Sequence, residues 1–324
     1  MSAPPRAKFT SPFAPLQLFE SDTKTLEQLS SVLVSNYVAQ YEQYVADGGS
    51  ASIDEREWKF IKQRDNVRVF GQRTKQNDDS ALDEIRQSID SYADSGAVQP
   101  PDMPVLLTVG SVAGTLDDIM YGMVAPTVDA MRIKTSYTDD QFGDAAVLKT
   151  ITVPTEDDPF QSLVIKWFRN RLNLVRRSLL SYRDFVYLDR TGITYTSKGE
   201  RLGFHLLHSM HFPQTRELPP IRRANMSVCT IYQGDPERNQ VKVFVRAIVD
   251  PSGNAPKSMI IRAGAEMYIA ISKYVECSYH KKLMWLLRLK QRKDGQSSKF
   301  SLDTLPSESL GPCAICKRLP SRIS

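Results

Sequence analysis

Apolar and polar positions divide the chain into a helix, a strand-rich middle and a second, longer helix. From Asp22 to Val45, the residues Leu26, Leu29, Leu33, Tyr37, Gln40 and Tyr44 advance by three or four, which puts one stripe on a helix. Gly48-Gly49-Ser50 ends it. Trp58–Lys62 and Val67–Phe70 predict two short strands around a polar turn. Residues 76–102 are acidic and polar, which fits a long loop or a surface helix ending before Pro100-Pro101. Val105–Val112 reads as a strand. Thr115, with Asp118 three residues on, is a capping box that opens a short helix to about Val124, and Pro126 starts another. After Gly143 strands are expected at 146–153, 162–171, 182–190, 202–212, 226–233 and 240–249. In the last of these, Val241, Val243, Val245, Ala247 and Val249 alternate with Lys242, Phe244, Arg246 and Ile248, the mark of a sheet with one sheltered face. Pro256 suits a first helical turn, and Ile260, Gly264, Met267, Ile271 and Tyr274 form one stripe of a long helix from Pro256 to Lys293. Such segregation of strands from helices predicts an α+β fold rather than alternating α/β.

Composition narrows the class. Of 324 residues, 41% are hydrophobic and 24% charged, which is ordinary globular composition. Four cysteines are too few for a disulfide scaffold in a chain this long. The longest apolar runs fall short of the roughly 20 residues that span a bilayer. Prolines at 4, 5, 12 and 15 and the lack of an apolar segment before them speak against a secretory signal, so a soluble cytoplasmic protein is the expectation. The formal charge of +5 is unevenly placed: from Glu276 onward ten basic residues face four acids, a local +6, and the rest sums to −1. That split disfavours nucleic-acid binding by the main domain and leaves a basic surface at the C-terminal end.

Catalytic and cofactor patterns are largely absent: there is no glycine-rich dinucleotide loop, phosphate-binding loop, zinc-protease helix or calcium loop, and no cofactor is expected. Gly110-Ser111-Val112-Ala113-Gly114 has its serine in the wrong place for a nucleophile elbow. His205 and His211 share a strand face but stand about 20 Å apart, and His208 points the other way, so one metal ion cannot use them together. The pairs Asp78-Asp79, Asp117-Asp118, Asp139-Asp140 and Asp157-Asp158 read as solvated or helix-opening acids. Cys313-Ala314-Ile315-Cys316 offers two zinc ligands where a tetrahedron needs four, with no His or Cys after it. Cys229 and Cys277 read as ordinary thiols in regular structure. Only Asp189 and His208 offer themselves as acid–base groups.

Three motifs in register carry a resemblance. Arg183-Asp184-Phe185-Val186 opens a strand, Arg223-Ala224-Asn225 precedes another, and Asp250-Pro251-Ser252-Gly253-Asn254-Ala255-Pro256-Lys257-Ser258 turns into the last helix. In order and spacing they resemble START domains, the steroidogenic-acute-regulatory-related lipid-transfer family, although that family usually has Trp where Asn254 stands. The layout is similar over about 22–290. The resemblance implies a helix-grip fold, in which a curved antiparallel sheet wraps a long C-terminal helix that closes a cavity over one lipid, without catalysis. The ligand would be a sterol, phospholipid or sphingolipid, and the protein a monomer in transient contact with membranes. Some sterol-carrying members bury an acid–arginine pair. Here the arginine position is Asp189, which suggests a reversed pair with Arg169 or Arg171; surface charges in a turn are the alternative. Tyr268 aligns with a cavity tyrosine of ceramide carriers, and Tyr187, Leu206, Met210, Val245, Met267 and Ile271 would line the same cavity. Cys313 to Arg318 resembles the first ligand pair of the FYVE zinc finger that follows START domains in some oomycete proteins.

The domain reading is a flexible tail over 1–21, a START-like lipid-binding domain over 22–293 and a C-terminal tail over 294–324. Lipid binding, with transfer between membranes, is the leading function. The alternative is a ligand-free membrane adaptor recruited to anionic lipid through Lys281, Lys282, Trp285, Arg288 and Lys290, since each basic residue near an anionic surface adds about 1 kcal/mol.

Overall fold

A computed structural model of the chain describes residues 11–73, 103–138, 142–170, 182–250, 252 and 256–293. The acidic stretch around 76–102, Arg171 and the Cys313–Cys316 pair lie outside the described residues. The chain forms two compact units, residues 1–278 and 279–324.

In the first unit, helix α1 (Glu20–Ala46) runs almost as its stripe predicts, burying Leu26, Leu33, Tyr37 and Tyr41. Its entry is fixed by the Asp22 carboxylate, which accepts from the Phe19 backbone N–H at 3.0 Å. Residues 11–19, expected as part of a flexible tail, instead lie against the sheet. Leu16 is 1% exposed, and its N–H donates to the Leu148 carbonyl at 2.9 Å. The prolines that oppose a helix there are compatible with an extended segment, and Phe13, Leu16 and Leu18 give it an apolar side.

The strands are β1 (Trp58–Arg64), β2 (Val67–Gln72), β3 (Val105–Ala113), β4 (Phe142–Thr152), β5 (Ser162–Asn170), β6 (Arg183–Tyr195), β7 (Arg201–Ser209), β8 (Arg222–Arg223), β9 (Asn225–Asp235) and β10 (Gln240–Asp250). Among the described residues they make one sheet in the order β1-β2-β3-β10-β9-β7-β6-β5-β4, with every neighbouring pair antiparallel, and β8 pairs in parallel with the start of β6. Between β3 and β4 come α2 (Leu116–Met123) and α3 (Val128–Thr138). Thr115 caps the helix as read: its Oγ1 accepts from the Asp118 N–H at 3.1 Å and donates to the Asp118 carboxylate at 2.8 Å.

Strand alternation sorts the core into two faces. One carries Phe204, Leu206, Cys229, Ile231 and Phe244 against α1. The other carries Tyr187, Val228, Val243, Val245 and Ala247 against α2 and the C-terminal helices. The fold is therefore α+β in the helix-grip arrangement, a curved antiparallel sheet with a helical segment held against its inner face.

That segment is not one helix. α4 (Lys257–Tyr268) passes into a 3-10 turn at Ile269–Lys273, and α5 (Tyr274–Lys293) follows. Ile269, Ala270 and Ile271 are all buried, so protein packs around this turn on more than one side. Ser272 Oγ donates to the Ile269 carbonyl at 3.1 Å within it.

On the α1 face Ser227 Oγ lies 3.1 Å from the Tyr37 hydroxyl and 3.0 Å from His208 Nδ1. Burial pushes the His208 pKa from 6.5 down to about 4. The unfolded chain therefore takes up this proton first as pH falls, and stability present above the unfolded value is lost progressively toward the folded one. Lowering the pH from about 7 to about 5 should cost about 2 kcal/mol through this group. Urea unfolding at both pH values checks it: His208→Gln, which keeps a partner for Ser227, should shrink the difference, with the rest left to His205, whose pKa burial also lowers.

Candidate functional site

The inner face of β5, β6 and β7 holds a small polar cluster in apolar surroundings. Asp189 on β6 is opposite Val164 on β5 and Leu207 on β7, while Lys166 is opposite Tyr187 and His205 opposite Thr191. Lys166 and His205 are therefore each one same-face step from Asp189 on its two neighbouring strands. Lys166 Nζ donates to Asp189 Oδ2 at 2.7 Å and to the Ala125 carbonyl at 2.7 Å. Ala125 lies just past the end of α2, and the ammonium satisfies this buried loop carbonyl. His205 Nε2 is 3.2 Å from Asp189 Oδ1. A carboxylate only accepts, so the neutral imidazole carries its proton on Nε2 and offers Nδ1 as an acceptor.

Burial works to raise the Asp189 pKa, but the Lys166 ammonium and then His205 override it and hold the carboxyl well below the usual range. Burial lowers Lys166 and His205, and Asp189 opposes this in both. Lys134 on α3 is 7% exposed, its Nζ 5.3 Å from the centre of the Tyr274 ring, and its charge presses Lys166 and His205 further down.

These groups surround an internal cavity of about 30 Å³ beneath α4, room for about one water. Met123, Met131, Met226 and Met267 supply much of its wall, with Phe168 and Tyr187 beside them. Phe168 stacks on Phe185 at 4.7 Å and meets Tyr187 edge-on at 5.5 Å, which stiffens that side. The methionine side is adaptable, because thioether chains repack at low cost. A larger, open groove of about 560 Å³ lies on the other face between α1 and β1, walled by Gln40, Tyr44, Trp58, Phe244 and Arg246; it is remote from the buried cluster.

The residues expected to form the site are distributed as follows. Tyr187, Asp189 and Met267 line the cavity, and Val245, Tyr268 and Ile271 pack in the core of the same face. Leu206 and Met210 do not line it: their strand parity and position place them on the opposite face, in the clusters that α1 covers. Asp189 does not face Arg169. Arg169 pairs with Asp144 on β4 and lies 5.3 Å from the Tyr182 ring, while Asp189 takes Lys166 and His205. The two acid–base candidates do not converge: His208 is on the α1 face, and His205 is the histidine that meets Asp189. Lys166 was missed. Its only sequence signal is a lysine inside the apolar run Leu163–Phe168, and the β5–β6 register is needed to see its partner.

The three motifs meet at one end of the sheet. Arg223 forks onto Asp184 at 2.9 and 3.0 Å, and Trp167 Nε1 donates to the same carboxylate at 2.8 Å. Asn225 reaches Asp250 at 3.4 Å, and Arg183 reaches the Ser252 carbonyl at 3.5 Å. They form a clamp that ties β6, β8, β9 and β10 together, outside the cavity.

No family model and no curated protein matches the chain. Solved structures similar to it include human StAR-related lipid transfer protein 5, at 16% identity and a TM-score of 0.49, over 80% of this chain and 99% of that one. Human STARD10 matches at 15% identity and a TM-score of 0.43, over 77% and 85% of the two chains. The lipid transfer and protein localization domain of human StarD13 matches at 14% and 0.41, over 74% and 95%.

In the second unit, α5 from Tyr279 onward exposes Tyr279, Leu283 and Leu286 on one helical stripe, with Trp285 57% exposed beside it. Lys282 Nζ lies 5.7 Å from the Tyr279 ring centre. Arg288 is on the same helix. No helix among the described residues is long and apolar enough to cross a membrane, and none of their His, Cys, Asp and Glu side chains gather into a group that could hold a metal ion.

Proposed function

We propose that this protein binds a lipid in the cavity between the inner sheet face and α4, without catalysis, and carries it between membranes. The observation that carries this reading is an internal space walled by four repackable methionines, with a polar cluster fixed at one place on its wall. Hydrophobic burial retains a chain against water at about 0.8 kcal/mol per CH₂ but does not distinguish one lipid from another. Selectivity falls to the few polar groups, here Lys166, Asp189, His205 and Lys134. The cavity lysine and aspartate are tied to each other, which supports binding over acid–base turnover. The purified chain should release a co-purifying lipid on organic extraction and take up a fluorescent lipid from donor vesicles. Absence of both overturns the reading.

A second reading, membrane recruitment, is favoured by the exposed Tyr279, Leu283 and Leu286 stripe with Lys282 and Lys290 along it. Charge reversal at Lys282 and Lys290 should abolish most pelleting with anionic liposomes. Pelleting that survives, or that needs no anionic lipid, removes this reading.

A further inference from the structure

The cavity wall carries two ammonium groups and one carboxylate, all shielded from solvent: Lys134 from α3, Lys166 from β5 and Asp189 from β6. The carboxylate acting on Lys166 and His205 is Asp189, and Lys134 adds positive charge to both. Lys166 has three N–H donors. Two go to Asp189 and the Ala125 carbonyl, and the third has no partner among the described residues. His205 spends Nε2 on Asp189 and presents Nδ1. An anion between them would accept from Lys166, draw on the Lys134 charge and favour the doubly protonated imidazole, whose Nδ1–H becomes a further donor.

Shape points the same way. The space is water-sized, so a ligand enters only as far as the wall gives, and the part that gives is made of the flexible thioethers of Met123, Met131, Met226 and Met267. A single flexible acyl chain can thread among such side chains, whereas a rigid ring system needs its full width at once. We propose that the cavity selects a monoanionic, single-chain amphiphile of the long-chain carboxylic acid class, its head held by Lys166, Lys134 and His205 and its chain among the methionines. Low-dielectric surroundings make that charge recognition stronger than it would be in water. The proposal rests on the cavity being a lipid site and adds the chemistry of the head.

Calorimetric titration of the full chain with oleate and with oleyl alcohol, both below their aggregation concentrations, tests it. Oleate should bind about tenfold more tightly than the alcohol or better. Lys134→Met should bring that ratio close to one, while Lys134→Arg should keep it. Acetate and inorganic phosphate should give no saturable heat. Equal affinity for oleate and oleyl alcohol in the native chain overturns the head-group inference and leaves the lipid reading standing. Binding of neither lipid overturns both. Saturable binding of phosphate that competes with oleate overturns the proposal in favour of a free-anion site. The comparison of the two lipids needs no variant, so a Lys134 substitution that unfolds the chain does not remove the test.

Discussion

Lys166→Met should lower the unfolding free energy by about 4 kcal/mol, because it leaves a buried carboxylate without its counter-ion. Lys166 is 2% exposed, and its ammonium makes the 2.7 Å contact that holds Asp189 ionised against burial. Without it, burial dominates and the Asp189 pKa rises, so the loss should ease as pH falls and the carboxyl takes up a proton. The double variant Lys166→Met/Asp189→Leu should recover most of the stability, since apolar replacement of a buried ion pair is often neutral. Urea unfolding of the three chains decides the matter. A loss under about 1 kcal/mol for Lys166→Met would mean that the pair is solvated and not internal.

Gly122→Ala should cost about 3 kcal/mol or more, the upper range for forcing extra volume into packed structure. A Cβ at Gly122 would stand 1.8 Å from the Tyr274 carbonyl oxygen, 2.8 Å from its carbon and 3.2 Å from the Ser278 nitrogen. These are backbone atoms, so α2 and the first turn of α5 must separate. Met123 and Ala125, which follow on the same segment, belong to the cavity wall, so lipid uptake should change with stability. Gly199→Ala is the control: its φ of +80° imposes strain of about 1 kcal/mol, yet nothing lies within 4 Å of an added Cβ. If Gly122→Ala costs no more than Gly199→Ala, the two helices are not in backbone contact.

What the chain shows on its face is local. The α1 stripe and the Thr115 cap depend on neighbours a few residues away, and each appears where it is expected; β10 alternates too, but α1 buries Phe244 and Ile248, so both of its faces are covered rather than one. The break at Ile269–Lys273 was hidden because Met267, Ile271 and Tyr274 keep helical spacing across it, and a change of backbone winding leaves no mark in that stripe. Residues 11–19 were hidden because proline density marks the absence of a helix and is silent about packing. For the cavity, Asp189 and Tyr187 were reached through the resemblance to START domains and not through any local pattern. Lys166 and His205 could not be assigned as partners, because their meeting depends on the register of three strands, and a slip of one residue would send each to the other face. Leu206 and Met210 were misplaced by the same parity.

The sheet order has a kinetic meaning. β3 finds its second neighbour in β10, so that Val109 stands beside Phe244, 135 residues further on, while β4 to β7 and β9 to β10 pair largely with strands close in sequence. The β3–β10 seam is the step with the greatest loop-closure entropy, and it must form before α2 and α4 share one inner face. Assembly of the cavity is therefore bound to the slowest pairing in the fold, and a chain stalled before that seam closes would carry two further open sheet edges, at β3 and β10, and no binding site.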